Sequence, residues 1–113
     1  MSLIDIRARV IAKGERAFGP GKADLLEKIA AEGSISAAAK AMSMSYSRAW
    51  RLVDSMNASF RKPLVSLATG GKHGGGASVT ALGEEVLAIY RKLEAQLAAD
   101  SAAFEGEFEK RLK

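Results

Sequence analysis

A chain of 113 residues has room for one modest hydrophobic core, and 48% hydrophobic with 27% charged residues is the composition of a globular rather than a disordered protein. Cysteine is absent and histidine occurs once, which excludes disulfides, thiolate metal sites and most histidine-based metal or catalytic arrangements. The net charge of +4 is unevenly placed: from Lys40 to Gly76 six lysines and arginines stand against one acid, Asp54, as a polyanion-binding face requires.

The start, MSLIDIRARV, carries charges throughout and fits neither a secretory signal nor an anchor, so a cytoplasmic protein is expected. Ile4, Ile6, Ala8 and Val10 alternate with Asp5, Arg7 and Arg9, the two-residue period of a half-buried strand. Gly14 marks a turn, from which Arg16–Phe18 return as a second strand. Pro20 is placed to open a helix over Lys22–Glu32, with Leu25, Leu26 and Ile29 on one face and Gly33 as its stop. The run AAAKAM predicts a short second helix, capped at Ser36.

Ser43-Met44-Ser45 breaks that helix, and Ser45 caps a third one running to about Phe60. Its residues Ala49, Val53, Met56 and Phe60 form one inward stripe, with Ser47, Arg48 and Arg51 away from it and Tyr46 and Trp50 on the boundary. Leu64–Ala68 and Ala77–Val79 are β-like. Thr80 caps a last helix, with Glu84 near its first turn and Leu82, Val86, Ile89, Tyr90, Leu93, Leu97 and Phe104 at helical spacing. The class is therefore mainly α with a small β part.

A short alanine-rich helix, a tight turn and a helix with outward arginines make the helix-turn-helix layout. Ser45, Tyr46 and Ser47 at a helix N-terminus can hydrogen-bond phosphates or base edges. Arg48 and Arg51 can grip a guanine edge or a phosphate with two bonds each. Asp54 is placed to pair with Arg51 or Arg48 within the helix. Trp50 serves either packing or, through its indole N–H, DNA contact.

The segment TGGKHGGGASVT, residues 69–80, invites a phosphate-loop reading that its spacing defeats. Lys72 is followed by His73 rather than Ser or Thr, and the glycines lead into a β-like run instead of a helix. As a hairpin tip, or wing, it presents Thr69, Lys72 and His73 to a phosphate backbone or minor groove; a loop without a role is the alternative. The long last helix exceeds what so small a domain can cover, which points to an isologous homodimer. No pairing of carboxylates, second histidine or cysteine supports catalysis, so no enzyme, metal or cofactor is expected.

The stretches GSISAAAKAMSMSYSRAWRLVDSMN and PLVSLATGGKHGGGASVTALGEEVL resemble the N-terminal DNA-binding domain of the molybdate-responsive regulator (ModE) family. That domain is in turn similar to the winged helix-turn-helix of LysR-type regulators. The resemblance covers nearly the whole chain. Its most specific pieces are Ser45-Tyr46 with Ala49-Trp50, Met56-Asn57, and Ala68 to Gly71 with Gly74 to Gly76. It implies a winged helix over residues 1–80 and a dimerisation helix over 81–113 in the same compact unit. It further implies a homodimer on palindromic double-stranded DNA, with contacts from Ser45, Ser47, Arg48 and Arg51 and from the wing around Lys72 and His73. Full-length members carry C-terminal domains that sense molybdate; with none expected in these residues, neither molybdate nor another oxyanion is an expected ligand of this chain. A protein-interaction or dimerisation module, or a small oxyanion-binding module, having lost DNA binding, is the alternative function.

Overall fold

Hydroxyl caps and left-handed turns set the points where the chain changes direction. The structure, a computed structural model, describes residues 2–68 and 76–113. In chain order it contains β1 (Val10–Ala12), β2 (Glu15–Phe18), α1 (Pro20–Glu32), α2 (Ile35–Ala41), α3 (Tyr46–Ser59), β3 (Val65–Ala68), β4 (Gly76–Val79) and α4 (Ala81–Glu109). Both sheets are antiparallel two-stranded hairpins.

The first hairpin turns at Lys13-Gly14, both at positive φ (51° and 77°), the geometry that suits the right-handed twist of a two-residue hairpin loop. Its first strand is shorter and later than the alternation from Ile4 predicts. Ile6 and Val10 are exposed, so here the two-residue period does not report burial. Residues 2–9 instead follow α4 in the opposite direction. Tyr90 Oη donates to the Ala8 carbonyl at 2.8 Å, and Ser2 Oγ donates to Glu105 Oε1 at 2.7 Å. That bond, first among its causes, holds the Glu105 carboxyl below its ordinary pKa.

Pro20 opens α1, and Gly33 ends it in the left-handed region, its N–H bonded to the Ile29 carbonyl at 2.8 Å. The cap of α2 is Ser34 rather than Ser36: Ser34 Oγ accepts from the Ala37 N–H at 3.0 Å. The helix can therefore start two residues earlier and bury Ile35 along with Ala38 and Ala39. The small side chains of α2 let it lie close against α1 and α3, both of which it packs on.

The core gathers where α1, α2, α3 and the hairpin bases meet. Phe18, Leu25, Leu26, Ile29, Val53, Met56, Leu64 and Val65 are fully buried there. Each contributes about 2 kcal/mol through removal of apolar surface from water. Phe18 meets Phe60 and Tyr90 edge-to-face, with centroids at 6.1 and 5.2 Å. Across the outside of the α1–α4 seam, Arg91 reaches Asp24, Glu27 and Glu94 at 2.8, 2.5 and 2.7 Å. Burial works against its charge, but the three carboxylates outweigh it and raise the guanidinium pKa. The architecture is a helix-turn-helix followed by a β3–β4 wing, with a small hairpin before it and a long helix after it.

α4 meets the wing base at Gly83. A Cβ there would land on the Leu64 carbonyl oxygen and come within 2.6 Å of Val79 Cγ1. The expected result of Gly83→Ala is therefore a loss of about 1–3 kcal/mol in urea unfolding, from overpacking rather than from lost hydrogen bonds.

Candidate nucleic-acid interface

α3 is amphipathic, and its burial sets which way its polar side chains face. Ala49, Val53 and Met56 are buried, which turns Ser47, Arg48, Arg51 and Asp54 outward, all exposed. Phe60, expected to complete the stripe, is only half-buried and sits at the C-cap.

At the N-terminus of α3, Ser45 Oγ accepts the Arg48 N–H at 3.1 Å and lies 3.5 Å from Ser47 Oγ. The cap leaves its hydroxyl proton free to donate, and the helix dipole adds partial positive charge at the same point. Tyr46 is 52% exposed and meets Trp50 edge-to-face at 6.2 Å. Trp50 itself is half-buried against the core, so packing is its part, with Tyr46 as the outward ring of the pair.

Arg48 and Arg51 share this outward face, and Lys40 is exposed at the end of α2. Among the described residues no carboxylate lies within ion-pair distance of Lys40, Arg48, Arg51, Arg61 or Lys62, and Asp54 pairs with neither arginine. The described ion pairs lie on the N-terminal segment, the α1–α4 seam and the far end of α4. A cationic surface with uncompensated guanidinium groups is suited to binding a polyanion.

The turn ahead of α3 holds Ser43 at φ 53°. Behind α3, Asn57 has a role that periodicity does not reveal. Its Oδ1 accepts the N–H groups of Leu64 and Val65 at 2.8 and 3.1 Å, while Nδ2 donates to the Val65 carbonyl at 3.2 Å. It clamps the start of β3 to α3. β3 and β4 then pair in register from Val65↔Val79 to Ala68↔Gly76. The Ala77 N–H reaches the Gly33 carbonyl at 2.9 Å, tying the second strand to the α1–α2 corner. Thr69, Lys72 and His73 lie outside the described residues.

The apolar positions of α4 divide in two. Leu82 and Val86 pack half-buried on the chain's own core, and Tyr90 is 2% exposed inside it. Tyr90 is therefore no part of an intersubunit face: ring packing against Phe18 and the bond to Ala8 use it within the subunit. Ile89, Leu93 and Phe104 are 68%, 40% and 60% exposed, and Leu97 is half-buried. Phe108 and Leu112 extend the exposed stripe. Among the described residues no helix is long and apolar enough to cross a membrane.

Comparison with known proteins agrees with this geometry. Residues 22–84 match the bacterial regulatory helix-turn-helix protein family of the lysR type. The chain is 40% identical over 99 residues to the molybdenum-pterin-binding protein MopB of Rhodobacter capsulatus, covering 88% of this chain and 37% of that protein. It is 47% identical over 70 residues to the molybdenum transport protein ModE of Azotobacter vinelandii, covering 62% and 26%. With the DNA-binding transcriptional dual regulator ModE of Escherichia coli (strain K12) the identity is 44% over 71 residues, 63% and 27% of the two chains. The chain thus spans 26% to 37% of the length of these relatives.

Replacing Asn57 by Ala leaves the Leu64 and Val65 N–H groups without their acceptor. A loss of about 1–3 kcal/mol in urea unfolding is expected, together with faster hydrogen exchange at those two amides.

Proposed function

The chain belongs to the bacterial regulatory helix-turn-helix proteins of the lysR family, and on that premise we propose a sequence-specific, double-stranded-DNA-binding transcriptional regulator that acts in the cytoplasm as a homodimer. The observation that carries this reading is the outward face of α3. It presents Ser47, Arg48 and Arg51 beyond a buried Ala49–Val53–Met56 stripe, with no described carboxylate to neutralise either arginine.

On this reading α3 lies in the major groove with its N-terminal half against base edges. Arg48 and Arg51 supply paired donors of the kind that match guanine O6 and N7. Ser45, Tyr46 and Ser47 contribute hydroxyls to phosphate or base, with the α3 dipole behind them. Lys72 and His73, with Thr69, belong to the wing that meets the flanking backbone, where charge positions the protein and carries little sequence information.

The homodimer rests on α4. Its exposed apolar residues run from Ile89 and Leu93 through Phe104 and Phe108 to Leu112, and its apolar positions are nearly symmetric about Leu97. Leu82 and Leu112 are equidistant from Leu97, as are Val86 and Phe108, and Ile89 and Phe104 miss equality by one residue. A pattern that reads alike in both directions is what an isologous, antiparallel helix pair requires. Two α3 helices related by a two-fold axis would then address a palindromic operator. The molybdenum-related names of the relatives suggest that the regulated genes serve molybdenum handling.

Arg48→Ala and Arg51→Ala are each expected to cost about 1–3 kcal/mol of operator binding and relax the preference at one base pair, measured by duplex titration at fixed salt. Undiminished binding by both variants would refute the recognition-helix assignment. Leu93→Asp places a charge in the centre of the α4 stripe. Sedimentation is expected to show it monomeric at concentrations where the parent is dimeric, with unchanged far-ultraviolet circular dichroism.

A further inference from the structure

The wing base carries a mainly apolar groove, with Lys62 as the one charged residue in its lining. It has a volume of about 480 Å³ and runs between the α3–β3 loop, β3 and the first turn of α4, with Pro63, Leu67 and Leu82 in its wall. Leu67 is 45% exposed there. A phosphate backbone gains nothing from such a wall, whereas an apolar side chain does.

The end of α4 has such side chains. Beyond Glu109 the helical path continues, since the Leu112 N–H still bonds the Phe108 carbonyl at 3.0 Å. Phe108 and Leu112 therefore stand one turn apart, 57% and 59% exposed. In an antiparallel α4 pair centred on Leu97, the partner's Leu112 falls opposite Leu82, which lines the groove. Charge agrees with this register. Glu84 stands in the first turn of α4 with Glu85 next to it, and Lys110, Arg111 and Lys113 surround Leu112; Lys110 and Arg111 also reach Glu107 of their own chain at 3.7 and 3.6 Å, which leaves Lys113 as the cation there without a described ion pair.

We propose that the Phe108–Leu112 turn of each subunit fills the wing-base groove of the other, so that each wing is completed by its partner. This rests on the α4-paired homodimer proposed above. The groove wall also includes Asn57, Val65 and Ser66, the residues that join β3 to the recognition helix or adjoin that joint. Occupying it braces the wing against α3, and so couples subunit pairing to the shape of the DNA-binding surface.

The chain lacks cysteine, so thiols can be introduced singly. Chains carrying Leu67→Cys are mixed with chains carrying Leu112→Cys and treated with a short thiol-reactive cross-linker. Sedimentation reports the oligomeric state, and Leu97→Cys alone reports the helix pairing. The expected result is an intersubunit 67–112 product from the mixture, at a yield several-fold above that of either variant alone. A dimer that yields no 67–112 product overturns the groove proposal and leaves the dimer standing. A monomer at every concentration overturns both. Leu112→Asp, at an exposed position that the fold tolerates, is expected to raise the dimer dissociation constant about tenfold or more. An unchanged constant speaks against the proposal as decisively as a missing cross-link.

Discussion

The backbone of Leu64 is the point to which the other parts of the molecule are referred. Its N–H is held by Asn57 of α3, and its carbonyl accepts the Thr80 N–H at 2.9 Å. That carbonyl is also the atom a side chain at Gly83 would strike. One residue earlier, the Pro63 carbonyl accepts the Thr80 hydroxyl at 2.7 Å, while the same oxygen of Thr80 caps α4 through the Gly83 N–H. α3, the wing and the long helix α4 are thus joined through two consecutive peptide groups. Leu64 itself is fully buried, so the joint is also anchored in the core. The arrangement leaves little freedom for α4 to move without carrying the wing and α3 with it.

Part of the charge is committed to the same frame. Asp24, Glu27 and Glu94 are all committed to Arg91, which locks α1 to α4. Lys22 is likewise committed: its ammonium donates to the Arg16 carbonyl and Ser55 Oγ, both at 2.7 Å. Burial lowers its pKa and the charge of Glu15 works the other way. This fixes the far end of α3 to the base of the first hairpin. Arg91 and Lys22 are thus neutralised or hydrogen-bonded within the fold. Lys40, Arg48, Arg51, Arg61 and Lys62, the described cations of the middle of the chain, have no described side-chain partner, a condition they share with Arg9, Lys13, Arg16, Lys28, Lys92 and Lys113. What distinguishes the middle of the chain is its scarcity of acids, Asp54 alone between Lys40 and Gly76, which raises the local potential without raising the net charge of the whole.

Periodicity and capping chemistry made the helices legible. Ser45 and Thr80 cap where their hydroxyls precede an apolar-periodic run, and Gly33 stops α1 through a left-handed conformation that glycine adopts freely. The outward direction of Arg48 and Arg51 followed from the buried stripe alone. Three features were not legible, each for a different reason. The alternation of Ile4 to Val10 is the pattern of a strand, yet the paired strand begins only at Val10, because the turn at Lys13-Gly14 sets the register. Ser36 has the chemistry of a cap, but Ser34 takes the position because starting there also buries Ile35. Tyr90 shares the helical spacing of the exposed stripe, and only the tertiary packing of Phe18 and Ala8 around it assigns it to the interior.

The turn between α2 and α3 shows what this degree of definition requires. Ser43 occupies the left-handed region, where a residue with a Cβ is strained by about 1–2 kcal/mol. Such a conformation persists only where the surroundings over-determine it. Here the Met42 N–H bonds the Ala38 carbonyl, the Ser43 N–H bonds Lys40, and the Met44 N–H bonds Ala39, each at 3.0–3.1 Å. Met42 and Met44 add partly buried side chains on either side. With three successive amides pinned to the end of α2, the chain has one way to enter Ser45 and begin α3. The angle between the two helices is thus set by backbone bonds as well as by side-chain packing. On the proposed DNA-binding reading this matters, because the direction in which α3 leaves Ser45 sets where Arg48 and Arg51 stand.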